Sequence, residues 1–297
     1  MNGELSAALS AALEAALGAR VVAAGAVGGG DINDAYRASL SDGRVLFVKT
    51  HARAPAGMFA AEARGLRWLR DAGALRVPEV CACADRGEAE REHGPWFLAL
   101  EWVEPAPRAP DFDERLGRGL ATLHRAGAPR FGLDADNFIG TLAQRNAPLP
   151  TWADFYRERR LRPQMERARE RGLLPGRLLR ELERVAAQME RLVGPEEPPA
   201  RLHGDLWGGN VHVDERGAPC LIDPAVYGGH REVDLAMLRL FGGVSPRLMA
   251  AYEEVSPLAP GADERVALYQ LYPLLVHVNL FGGGYVGSLE GALRRVL

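Results

Sequence analysis

Lysine is almost absent from this sequence. Lys49 is the only one among 36 lysines and arginines in 297 residues. A lone lysine in such a chain marks a place where a compact ammonium serves and a planar guanidinium fork does not; the alternative is chance survival at the surface. Cysteine is scarce as well. Cys81, Cys83 and Cys220 form an odd, sparse set, which argues against a disulfide framework and fits a reducing cytosol, so a cytoplasmic location is expected. No second pair of ligands follows Cys81 and Cys83 at finger-like spacing, which argues against zinc. No apolar run approaches the roughly 20 residues of a membrane-spanning helix. The first residues have no basic start and include Glu4 and Glu14, so neither a membrane partner nor a secretory leader is expected. Net charge is small, −3, which argues against a nucleic-acid partner while leaving room for a local basic pocket.

What is present is material for a core. Hydrophobic residues make up 47% of the chain, ample for one large domain or two lobes. Leu5, Leu9, Leu13 and Leu17 form one stripe of a short amphipathic helix. Residues 20–50 read as strands, with Ser41-Asp42-Gly43 as a hairpin turn and Val45–Val48 as a buried strand ending at Lys49. Residues 58–72 read as a helix with Phe59, Ala63, Leu66 and Leu69 on one face. Further strands are expected around Val80 and at Trp96–Val103, before Pro105, Pro107 and Pro110 punctuate a boundary. Beyond it, 112–126, 152–171 and 176–193 read as helices and 201–223 as short strands around loops. From 231 onward the chain reads as mainly helical, interrupted by glycine- and proline-containing loops. The expectation is an α+β fold in two lobes, 1–104 and 105–297.

The strongest chemical signal is His203-Gly204-Asp205-Leu206-Trp207-Gly208-Gly209-Asn210 followed by Leu221-Ile222-Asp223. An Asp, an Asn five positions on, and a second Asp at the end of a short apolar strand match a kinase catalytic loop and metal-binding segment. A hydroxyl nucleophile needs a carboxylate near its proton, which Asp205 supplies. Magnesium prefers hard oxygen ligands, which Asn210 and Asp223 supply. A hairpin with polar loop residues, or a metal-dependent hydrolase using His203, Asp205, His212 and Asp223, are the competing readings. The second is weakened because His203 and His212 lack helical i, i+4 spacing.

Lys49 ends an apolar strand shortly after Gly28-Gly29-Gly30, where a kinase places the lysine that holds the α- and β-phosphates. A Walker A loop is rejected, since Val48 stands where glycine must precede the lysine. Glu62 lies on the apolar face of its helix, and a buried carboxylate is costly without a partner. Lys49 is that candidate; an edge position reaching solvent is the alternative. Gly28, Gly29 and Gly30 would bring backbone N–H groups to phosphate, and Leu100, Glu101, Trp102 and Val103 would meet adenine as the hinge or else form ordinary core strand.

On these segments, together with Phe131–Gly140 (FGLDADNFIG), Arg231–Met237 (REVDLAM) and Leu280–Tyr285 (LFGGGY), the sequence resembles the fructosamine kinase, or ketosamine-3-kinase, family of the aminoglycoside-phosphotransferase-like group. The resemblance implies a protein-kinase-like two-lobed fold. It also implies ATP and Mg2+ as cofactors and transfer of the γ-phosphate to the 3-hydroxyl of a sugar–amine adduct, free or protein-bound, for deglycation. Asp205 would be the base, Asn210 and Asp223 the metal ligands, and Lys49 with Glu62 the phosphate-holding pair. His203, Trp207, Asn279 and Phe281 would contact the sugar. Asp234 is expected to brace the catalytic loop, whereas Arg231 could bind phosphate or pair with a carboxylate. Two departures, Gly208 in WGGN and Tyr227-Gly228-Gly229-His230, bear on the acceptor pocket. Other small-molecule kinases of the aminoglycoside or choline type, and a non-catalytic relative, are the remaining alternatives.

Overall fold

The computed structural model describes residues 5–28, 33–85, 95–242 and 244–297. Helix α1 (Ala7–Leu17) starts where Ser6 accepts a hydrogen bond from Leu9 N and stops at Gly18 in the left-handed region. Its stripe buries Leu9 and Leu13 against Val48, Phe97 and Ala99. Those three residues belong to a sheet of β1 (Val21–Ala26), β2 (Asp34–Leu40), β3 (Val45–Thr50), β4 (Val80–Ala84) and β5 (Phe97–Glu101). The strand order is β1-β2-β3-β5-β4, with every pairing antiparallel. The expected hairpin is present: Gly43 takes φ 90° and Leu40 N donates to Arg44 O at 2.8 Å. Lys49 therefore sits in the central strand, opposite Ala35 on one side and Leu98 on the other. Helix α2 (Met58–Arg70) buries Phe59, Ala63, Leu66 and Leu69, the face its periodicity predicts.

The remainder is mainly helical. Helix α3 (Phe112–Arg125) is followed by a hairpin of β6 (Asn137–Ile139) and β7 (Leu142–Gln144), which the sequence pattern does not reveal. Then come α4 (Trp152–Phe155), α5 (Arg162–Glu170), α6 (Gly176–Ala187) and α7 (Met189–Leu192). The stretch expected as one helix over 152–171 is helical throughout, but it widens into a π-type turn over Tyr156–Leu161. The expected 176–193 helix breaks at Gln188. Short strands β8 (Ala200–Leu202), β9 (Val211–Val213), β10 (Pro219–Leu221) and β11 (Tyr227–Gly229) carry the loops of interest. Helices α8 (Glu232–Leu240), α9 (Pro246–Val255), α10 (Ala262–Phe281) and α11 (Val286–Val296) complete the chain. Pro273 does not interrupt α10, although an interior proline costs about 3 kcal/mol in an isolated helix. Burial of every position from Ala267 to Val276 holds it in place.

One apolar cluster joins the sheet to the helical part: Phe59 and Leu66 of α2, Leu98 and Leu100 of β5, Leu116 and Leu120 of α3, and Leu206, Val211 and Leu221. The last three lie next to or near the polar motif residues in sequence. Burying them fixes where their polar neighbours emerge.

Candidate active site

Lys49 is only 4% exposed. Its Nζ donates to Glu62 Oε1 at 2.8 Å and to Asp223 Oδ1 at 2.7 Å. Burial alone would depress the ammonium's pKa, but Asp223 and then Glu62 outweigh it and hold the group above its ordinary value. Glu62 thus has the partner that a carboxylate on an apolar helix face requires, and the solvent-reaching alternative falls away.

Asp205 lies in the loop between β8 and β9. Asp234, on the first turn of α8, accepts from His203 N at 2.7 Å and Gly204 N at 2.9 Å, so it braces the loop as expected. His124 Nε2 lies 3.2 Å from the same carboxylate, with Tyr252 OH 2.8 Å from His124 Nδ1. Gly204 takes φ +82°, and a Cβ there would fall 2.0 Å from Ala225 O; only glycine admits this crossing. Asn210 Nδ2 donates to Asp205 O at 2.8 Å and reaches Asp205 Oδ2 at 3.3 Å. Burial, then the charge of Asp223, pushes the Asp205 carboxyl up to about 7, against the opposing hydrogen bond from Asn210. A carboxylate poised there can accept a proton from a hydroxyl near neutrality.

Asp223 is the one non-glycine residue with positive φ among the described residues, at 54°, a conformation that costs about 1–3 kcal/mol and concentrates at functional sites. Its side chain is 43% exposed even though Oδ1 holds Lys49. Backbone bonds tie it to the loop: Ile222 N donates to Asn210 O at 3.1 Å. Among the described residues no three of His, Cys, Asp and Glu converge as a self-sufficient metal cage. One open carboxylate and one amide oxygen instead suit Mg2+, which completes its shell with nucleotide phosphates and water. Asn210 uses Nδ2 for its bonds within the loop, which leaves the amide oxygen for a hard cation.

The other expected site residues divide. Gly28 is exposed at the end of the first hairpin; Gly29 and Gly30 lie outside the described residues. Leu100 is core, and Glu101 pairs with Arg76 at 3.2 Å. Trp102 Nε1 donates to Glu104 at 2.7 Å, and Val103 O accepts from His212 at 3.2 Å. Trp207 and Phe281 are exposed and linked ring to ring through Phe241 and His277, at 6.0, 5.0 and 5.6 Å. His203 and Asn279 do not join them. His203 is fully buried: Nδ1 accepts from Asp205 N at 3.2 Å, so Nε2 carries the proton and donates to Ile222 O at 2.9 Å. Asn279 is buried and donates to Gln164 Oε1 at 2.8 Å. His203 is consumed inside the fold and keeps no free ring nitrogen for a sugar, whereas Asn279 keeps a buried Oδ1 without a hydrogen-bond partner. Arg231 is likewise occupied, bidentate to Glu197 at 2.7 and 2.8 Å.

A model of the fructosamine kinase family matches residues 5–297. The chain belongs to this family. A “Probable ketoamine kinase” of Synechocystis is 40% identical over 276 residues, covering 91% of this chain and 89% of the relative. A crystal structure of a candidate fructosamine-3-kinase from Thermobifida fusca is 44% identical and covers 97% of each chain, with a TM-score of 0.87. Choline kinase from Streptococcus pneumoniae, at 15% identity and a TM-score of 0.65, shares the fold. The protein is therefore a ketosamine kinase, an ATP-dependent phosphotransferase with the protein-kinase-like fold. In this fructosamine kinase family member the two departures sit differently. Gly208 is beside exposed Trp207, and a Cβ there would lie 3.8 Å from Gly242 O, an ordinary contact. The Tyr227–His230 run is internal: β11 pairs with β8, and His230 stacks on Tyr269 with ring centroids 5.5 Å apart. That second departure therefore lies within the core.

Proposed function

We propose that this ketosamine kinase transfers the γ-phosphate of Mg-ATP to the 3-hydroxyl of ribulosamine or fructosamine adducts, free or protein-bound, as a cytoplasmic deglycation step. The observation that carries the reading is the Lys49 ammonium held between Glu62 and Asp223, with Asp205 on the adjoining loop. Lys49 binds the α- and β-phosphates at the junction of an N-terminal lobe, 1–104, and a C-terminal lobe, 105–297. Gly28, Gly29 and Gly30 offer backbone N–H groups to phosphate, and Leu100–Val103 borders the adenine. Mg2+ held by Asp223 and Asn210 would neutralise charge on the transferring group. Asp205 accepts the proton of the attacking hydroxyl. Trp207 packs its face on the sugar, and Phe281 extends that aromatic surface.

Incubation with Mg-ATP and ribulose-lysine or fructose-lysine should give a 3-phosphate product. Turnover of some other acceptor with none of any ketosamine would overturn the reading.

A further inference from the structure

A buried chain of side-chain amides lies behind the metal segment. Asn137 Nδ2, at the start of β6, donates to Val226 O at 2.8 Å. Gln144 Nε2, at the end of β7, donates to Ala225 O at 3.0 Å and to Asn137 Oδ1 at 2.8 Å. Asn146 Nδ2 donates to the same Asn137 oxygen at 2.8 Å, and Arg160 Nη2 to Asn146 Oδ1 at 2.7 Å. Tyr272 OH donates to Gln144 Oε1 at 2.7 Å. Each amide is oriented by its neighbours, so none can flip without breaking two bonds. Arg160, inside the π-type turn, is fully buried with its guanidinium 3.8 Å from the centre of the Tyr227 ring. Such a network is expensive unless satisfied and rigid once it is.

The network ends on two adjacent carbonyls, two and three residues beyond Asp223. The opposite side of the same segment is held by α2, the helix that carries Glu62. A Cβ at Gly65 would sit 3.2 Å from Val226 Cγ2 and 3.6 Å from Pro224 Cγ, so α2 rests directly on the segment. Asp223 needs such a hold, because its positive φ would otherwise relax and swing the carboxylate away from Lys49.

We infer that Asn137 and Gln144 are positioning residues that set the metal carboxylate of Asp223 by fixing the carbonyls of Val226 and Ala225. Their bonds run to the Val226 and Ala225 carbonyls and to each other, so they act through the backbone, as residues behind a metal ligand do. The inference rests on the assignment of Asp223 to Mg2+, and its test contains no acceptor, so it stands apart from the choice of ketosamine.

The decisive measurement is calorimetric titration of the full chain with ADP, once in Mg2+ and once in EDTA. Asn137→Asp keeps the shape but cannot donate to Val226 O. It should lose about tenfold or more of the magnesium-dependent gain in ADP affinity, while ADP affinity in EDTA stays as in the wild type. A retained gain, or an equal fall in both buffers, overturns the inference. Should Asn137→Asp fail to fold, Tyr272→Phe removes one bond to Gln144 without emptying space. Its gain should fall by about threefold, the worth of one hydrogen bond, and an unchanged gain again overturns the inference. A wild type that binds ADP equally with and without Mg2+ would overturn the metal assignment itself.

Discussion

Lys49 Nζ and Asp223 Oδ1 lie 2.7 Å apart although 174 positions separate them in the chain. One belongs to the central strand of the sheet and the other follows the short β9–β10 hairpin of the helical part, so a single ion pair spans the junction where the nucleotide is proposed to bind. The pair is buried on the lysine side and open on the aspartate side. That asymmetry would let the carboxylate face the proposed cation while the ammonium stays fixed.

Lys49→Met should abolish ATP binding and destabilise the fold by about 3–5 kcal/mol, because Glu62 is left buried and unpaired. The double variant Lys49→Met with Glu62→Leu should recover most of that stability and none of the activity. Thermal melts beside ATP titrations check both halves.

Asp205→Asn should lower kcat by a factor of about 100 to 10,000, the usual worth of a positioned base. It should also stabilise the nucleotide-free chain at neutral pH. Burial raises this carboxyl from its ordinary 3.8 to about 7, so the folded protein binds the proton more tightly than the unfolded chain. Wild-type stability therefore declines as pH rises from about 4 through about 7. In EDTA the variant should melt above the wild type at pH 8 and together with it near pH 4. Equal melting at pH 8 would refute the raised carboxyl.

Asp234→Ala strips the partner from one buried and one part-buried backbone N–H group of the loop that carries Asp205. Each such loss costs about 1–3 kcal/mol, so the melting temperature should drop clearly. Asp234→Asn keeps one acceptor and should fall between. In both variants kcat should suffer more than the KM for ATP, since the loop carries the proposed base and not Lys49.

Trp207→Ala removes an exposed ring and should leave stability within about 0.5 kcal/mol of the wild type. The acceptor KM should rise about fivefold, matching about 1 kcal/mol of aromatic contact, with the KM for ATP unchanged. Steady-state kinetics with each substrate varied in turn separates the two.

Lys49 and Glu62 could be read together because each is a charged residue set among apolar strand or helix positions, and Asp205, Asn210 and Asp223 because their spacing is that of a kinase loop; the structure brings Lys49 onto Glu62 and Asp223 and Asn210 onto Asp205. The β6–β7 hairpin was not legible. Its strands are three residues each, too short for a period of two to show, and Asn137, Gln144 and Asn146 read in sequence as an ordinary polar loop. Val226 and Ala225, the partners of Asn137 and Gln144, lie some 80 to 90 positions away. Arg160 was hidden for the opposite reason: it stands in a densely charged stretch in which Arg167 and Arg169 face outward. Closeness to chemistry in sequence says nothing about which way a side chain turns, and His203 and Asn279 are both buried.

The scarcity of lysine now acquires a chemical meaning. Reducing sugars condense with accessible, uncharged primary amines. This chain's one side-chain amine is sealed between two carboxylates that keep it protonated, and arginine occupies every other basic position. With its sole lysine so enclosed, the chain offers a reducing sugar no lysine side chain to condense with.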